Sequence, residues 1–187
     1  MVGLKKVLFV SVFLLLSAIS FAEQPVIVQE FLGQVDFMRG RVTQLADAMP
    51  QSTYEWRPMD GVRSVSEVYL HVAFGNYICV TVSGGTVPEE VGFVMDFSKE
   101  NNWDTQTTNK AMIMEKMNKS FDILKERIAA LTEEDLNREV EAFGMKMSLR
   151  NFIISMIAHC HEHLGQSIAY ARMNGVTPPW SKKDSEG

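Results

Sequence analysis

The sequence predicts an all-α fold, a four-helix bundle preceded by an N-terminal signal peptide, and three observations carry that prediction. Four long segments repeat apolar residues at intervals of three and four, the period of one helical face. Strand-like alternation is almost absent. Pro, Gly and Ser/Thr breaks of the kind that stop and start helices separate the segments.

The chain opens with Lys5 and Lys6 ahead of an apolar run, VLFVSVFLLLSAISFA, in which Ser20 and Ala22 stand three and one residues before a cut at Glu23. A basic start, an apolar stretch and a small-residue site predict a cleaved signal peptide over residues 1–22. An uncleaved anchor is the competing reading, but the run is short for a span, which needs about 20 apolar residues. No stable membrane span is therefore expected after cleavage, and the mature chain is expected in the periplasm or secreted. Residues 23–187 contain no repeat, low-complexity tract or linker, and are long enough to bury one core as a single domain.

Cleavage removes Lys5 and Lys6 and no acid, which takes the formal net charge from −5 to −7. That acidic balance excludes a broad nucleic-acid footprint. Cys79 and Cys160 are too few for a disulfide scaffold and lie in separate apolar segments. They read as two buried thiols, with pairing in an oxidising compartment as the alternative.

The first helix is expected over 26–49, where Val28, Phe31, Val35, Met38, Val42 and Leu45 mark one face before Pro50. After the connector QSTYEWRPMDGVR, Ser64 and Glu67 have the spacing of a capping box, which starts a second helix that runs to about Val82, before Gly84 and Gly85. Residues 84–104 form the longest irregular stretch, a lid or a plain loop. The third helix is expected from about 106 to 130, with Ile113, Met117, Phe121, Leu124 and Ile128 on one side and charges on the other. Thr132 restarts the chain with three acids, and a turn at Phe143-Gly144 precedes Ser148. Ser148 is the expected N-cap of a fourth helix reaching Met173 and closed by Asn174-Gly175.

The stretch HCHEHLGQ, residues 159–166, holds three of the four histidines. His159 and His163 are four apart, so they share one helical face about 6 Å apart, close enough for one ion to bridge. His161 lies about 200° around from His159 and is expected to face solvent. Two imidazoles make a weak site, so a third ligand must come from another helix. The remaining histidine, His71, shares an inward face of the second helix with Val68, Phe74, Gly75 and Ile78. Three neutral imidazoles in a bundle core leave a coordination position open, as catalytic rather than closed structural sites do. A histidine on an apolar face can equally be a satisfied core residue; the joint pattern favours a metal. Glu67 is a candidate acceptor for an imidazole N–H or a plain exposed acid. Gln166 is a candidate hydrogen-bond partner near the site, and Gly165 a candidate point of close helix approach.

These residues resemble the DinB-like family of four-helix metalloproteins, the DinB/YfiT-like superfamily. The match rests on His159-Cys-His-Glu-His163-Leu-Gly165-Gln166, on the trailing AYARMNGVTPP, and on WRPMDGVRSVSEVYLHVA from Trp56 to Ala73, which carries His71. It covers essentially the whole mature chain. It implies an up-down-down-up bundle, a homodimer, and a divalent transition metal held by His71, His159 and His163 with the remaining positions open. Zinc or nickel is favoured, with iron or manganese as alternatives. Some relatives are thiol-dependent transferases or isomerases. Leu164 departs from the family, where an arginine is common, and an exported location is a second departure, because a low-molecular-weight thiol is scarce there.

Three functions follow. The first is a metal-dependent hydrolase or thiol-type transferase acting on a small molecule, whose ion lowers the pKa of water or thiol. Its catalytic base is not assigned, with Glu67 and Glu162 as the candidate carboxylates. The second is a non-catalytic metal-binding or sensing module stabilised by its ion. The third is a dimeric interaction module.

Overall fold

The structure, a computed structural model, describes residues 24–96 and 102–182. The signal peptide expected over 1–22 lies outside the described residues, as does part of the loop expected over 84–104. Four long helices, α1 (Val26–Ala48), α2 (Val65–Val82), α3 (Lys110–Ala129) and α5 (Leu149–Met173), form the bundle, with a single helical turn, α4 (Glu133–Asn137), before the last of them. Each long helix packs against two others, in the cyclic order α1, α3, α2, α5.

The directions of the helices follow from which residues meet. Asn76 donates to Ser120 at 3.0 Å, and Arg127 at the end of α3 binds Ser83 at the end of α2, so α2 and α3 run parallel. Arg39 reaches Asp122 while Lys125 reaches Asp36, so α1 and α3 run antiparallel. Tyr170 reaches back to the carbonyl of Arg63 while His159 packs on Gly75, so α2 and α5 are antiparallel as well. In chain order the bundle is up-down-down-up, as the resemblance implied.

The caps explain where the helices start. Ser64 accepts from the Glu67 N–H, and Glu67 returns a hydrogen bond to the Ser64 N–H, a complete capping box. Ser148 accepts from Asn151 at the head of α5. The third helix starts later than expected, at Lys110 rather than about 106, because Asn109 caps it through Met112 N–H and Gln51 accepts from Lys110 N–H. Trp103–Thr105 forms a separate 3-10 turn.

Helix α2 is apolar around nearly its whole circumference, with residues from Val65 to Val80 buried at almost every position. It is long and apolar enough to cross a membrane, yet 78% of that window is buried inside the molecule. The face of α2 turned away from α3 and α5 is covered by the Trp103–Thr105 turn and by residues Glu139–Ala142, which is why it is apolar nearly all round. Cys79 and Cys160 are both buried and both free, so the thiol reading holds and the paired alternative is overturned. Burial pushes each thiol up to about 12, far from a reactive thiolate.

One element was not expected. Glu139–Ala142 (β1) and Met145–Ser148 (β2) pair antiparallel into a hairpin whose tip is Phe143-Gly144. Both tip residues have positive φ, 53° and 73°, which matches the type I′ turns that suit two-residue hairpins.

Candidate metal centre

Two turns into α2, His71 faces α5. One turn further on, Gly75 has no side chain, and a Cβ there would lie 3.4 Å from the His159 ring. That is ordinary van der Waals contact, so the α2–α5 approach at this point has room for a methyl group and for nothing larger without displacing the ring. His159 and His163 follow one another on the same face of α5.

The Nε2 atom of His159 lies 3.3 Å from Nε2 of His71 and 3.0 Å from Nε2 of His163. The three candidate ligand atoms all fall within 4.8 Å of one another. All three rings are partly buried. Metal–nitrogen bonds of about 2.0–2.1 Å place neighbouring ligand atoms about 3.0 Å apart in an octahedron and about 3.4 Å apart in a tetrahedron. The two measured separations span that range.

The opposite ring nitrogens decide which protons are present. Nδ1 of His71 lies 3.0 Å from Oδ2 of Asp104. An ionised carboxylate only accepts, so Nδ1 carries a hydrogen and Nε2 is the nitrogen turned inward to ligate. Asp104 also accepts from Nε of Arg63 at 3.0 Å. Burial opposes its charge, but the hydrogen bonds from His71 and Arg63 and the Arg63 charge outweigh burial and hold the carboxyl below its usual range.

At His163 a chain of three bonds fixes the tautomer. Tyr170 donates its hydroxyl hydrogen to the Arg63 carbonyl at 3.1 Å, so it accepts from Nε2 of Gln166 at 2.9 Å. Gln166 therefore turns Oε1 towards Nδ1 of His163, 2.9 Å away, and that nitrogen donates. Nε2 of His163 is left as a lone pair. Nε2 of His71 and of His163 both face Nε2 of His159, which has at most one hydrogen to offer on that side.

A proton is a poor occupant of this point. Burial, then repulsion from His163, His71 and Arg63, lowers His159 to about 4. Burial also lowers His163, against the opposing hydrogen bond to Gln166. Both α5 rings are thus held neutral, the protonation state that ligates metals. The donor set fits a divalent transition metal.

The structure brings together His71, His159 and His163, and it adds Asp104 and Gln166 behind two of them. Gln166 was a candidate from sequence; Asp104 was missed. It lies in the 3-10 turn ahead of α3, and no spacing connects it to His71. Gly75 was noted on the right face without its role. Glu67 does not reach the histidines: its carboxylate binds Arg57 at 2.7 Å and caps α2, which overturns the acceptor reading. Glu162 and His161 face solvent, the latter stacked on Phe37. Close helix approach is not the role of Gly165, since a Cβ there meets nothing within 4 Å. Leu164 is buried in the core.

The sequence profile of the DinB superfamily matches residues 34–167. No protein of curated function matches the chain. Among solved structures, a DinB-like protein from Bacillus cereus is similar at a TM-score of 0.66 and 19% identity, over 81% of this chain and 95% of that one. A DinB-like protein of Bacillus subtilis, YjoA, aligns at 0.61 and 19% identity, over 79% and 94%. YfiT from Bacillus subtilis, described as "a probable metal-dependent hydrolase with an unusual four-helix bundle topology", aligns at 0.60 and 13% identity, over 84% and 93%.

Proposed function

The chain belongs to the DinB superfamily, and from that premise we propose that it is a divalent-metal-dependent hydrolase of a small molecule, with His71, His159 and His163 as the ligands. The observation that carries this reading is the convergence of three Nε2 atoms, two of them turned inward by Asp104 and Gln166. The description of YfiT supports hydrolysis as the reaction class.

A divalent ion held there supplies Lewis acidity and brings the pKa of a coordinated water towards neutrality. The chain's own contribution is to keep His159 and His163 neutral and all three rings oriented. Asp104 holds the Nδ1 hydrogen of His71 and is itself anchored by Arg63, while Gln166 holds the Nδ1 hydrogen of His163. Asp104 is the carboxylate beside the cluster, and its bonds to His71 and Arg63 make it a positioning residue rather than a free base. Three protein ligands leave room for water and substrate. Zinc or nickel suits imidazole donors, with iron or manganese as alternatives.

The same proposal carries an exported protein, on Lys5, Lys6 and the apolar run that follows, and a homodimer, on the family resemblance. The test is turnover of ester and amide substrates, and of a thiol with an electrophile, by zinc- and nickel-loaded protein beside His163→Ala. Metal-dependent ester or amide hydrolysis, lost in the variant, is expected. Thiol-dependent transfer alone would replace hydrolase by transferase, and equal rates in variant and wild type would end the enzymatic reading.

A further inference from the structure

We propose that the cavity beside the histidines is a specificity pocket for an uncharged hydrophobic group of the substrate, a single aromatic ring or a short alkyl chain, with Phe143 as its outer wall. This rests on the hydrolase reading above and adds the substrate's chemical class.

The cavity, about 330 Å³, is bounded by Phe74, Ile78, Met156 and Phe143, with His71 and His159 forming one end. A group seated in it is continuous with the point where the Nε2 atoms converge. Its volume stands at the small end of the roughly 300–1,000 Å³ of ligand pockets, which suits one ring rather than a large ligand. No Asp, Glu, Lys or Arg among the described residues lines it. A charged tail would lose its hydration there and find no partner.

Phe143 supplies an independent observation. It occupies the first tip position of the hairpin at φ 53°, where a type I′ turn favours Asn or Gly and a bulky residue is strained. The residue is 55% exposed, with its ring 6.3 Å from that of Phe152. Residues held in such sparsely populated backbone conformations cluster at functional sites. The hairpin places this ring at the rim of the histidine cavity.

Calorimetry on zinc-loaded protein would compare acetohydroxamate, 3-phenylpropionohydroxamate and succinic monohydroxamate, which share a metal-binding head and differ in tail. The phenyl tail is expected to tighten binding at least tenfold, given about fourfold per buried methylene, and the carboxylate tail to add nothing. Ser155 also lines the cavity from an exposed position on α5. Ser155→Trp fills the space and should abolish the gain, and Phe143→Asn, which keeps the turn, should reduce it. Equal affinities across the three tails, or a full gain in Ser155→Trp, would overturn the pocket. Failure of all three to bind counts against the metal reading. The metal-free protein then decides the pocket alone: 3-phenylpropanol should shift the methyl resonances of Ile78 and Met156 in wild type and not in Ser155→Trp, and unshifted wild-type resonances would overturn the inference.

Discussion

Asp104 and Gln166 solve one problem from two sides, since each accepts the Nδ1 hydrogen of a histidine and so directs that ring's Nε2 inward. Groups behind a ligand orient it and raise its basicity, and their removal typically weakens metal binding about 10–100-fold. Asp104→Ala should lose zinc affinity in that range in a chelator competition, with Asp104→Asn retaining more because its amide oxygen can still accept. Glu67→Gln serves as the contrast: its carboxylate binds Arg57 and the α2 cap, so affinity should stay unchanged while thermal stability falls. Unchanged affinity in Asp104→Ala would remove this carboxylate from the site. The histidines themselves were legible in the sequence because a pair four apart defines its own face. Asp104 was not legible, because its proximity to His71 depends on how the loop after α2 returns, and loop paths leave no periodic trace.

At the scale of elements, two glycines separate close approach from mere tolerance. Gly75 faces the His159 ring, whereas Gly165 faces open space. Gly165→Ala should therefore raise stability by about 0.5–1 kcal/mol, the usual difference between these residues in a helix interior, measured by urea denaturation. Gly75→Val should instead displace His159 and lower metal affinity; the opposite pattern would show that the α2–α5 contact is misassigned. The caps at Ser64 and Ser148 were readable because each is a short local motif. The all-round apolar α2 shows no stripe, so its capping box located it rather than its periodicity. The hairpin escaped notice because four-residue strands are too short to show a pattern and Phe-Gly is not a usual turn signal.

For the whole molecule, the up-down-down-up order makes α2 and α5 antiparallel neighbours and sets the three histidines at one depth between them. Placing them there has a consequence for stability. In the unfolded chain His159 titrates near 6.5, whereas in the fold burial, then repulsion from His163, His71 and Arg63, lowers it to about 4. Between those values the unfolded state binds more protons, so stability of the metal-free protein rises with pH across the window. It is complete above about pH 6.5 and lost as pH falls towards 4. His163 is shifted in the same direction and steepens the dependence. Thermal melts of metal-free protein from pH 7 to 4 should show this loss, with a shallower dependence in His159→Gln; identical slopes would contradict the buried neutral ring. The bundle was legible from apolar periodicity and caps, and the family from the motifs around His71 and His159–Gln166, whereas the cavity beside the histidines needed the hairpin in place.

Anomalous X-ray diffraction at the absorption edge of the metal carried by untagged protein most directly tests whether three rings share one ion. The account predicts a single strong peak about 2.0–2.2 Å from Nε2 of His71, His159 and His163. A metal bound elsewhere, or rings that stay empty when crystals are grown with saturating zinc and nickel, would contradict it.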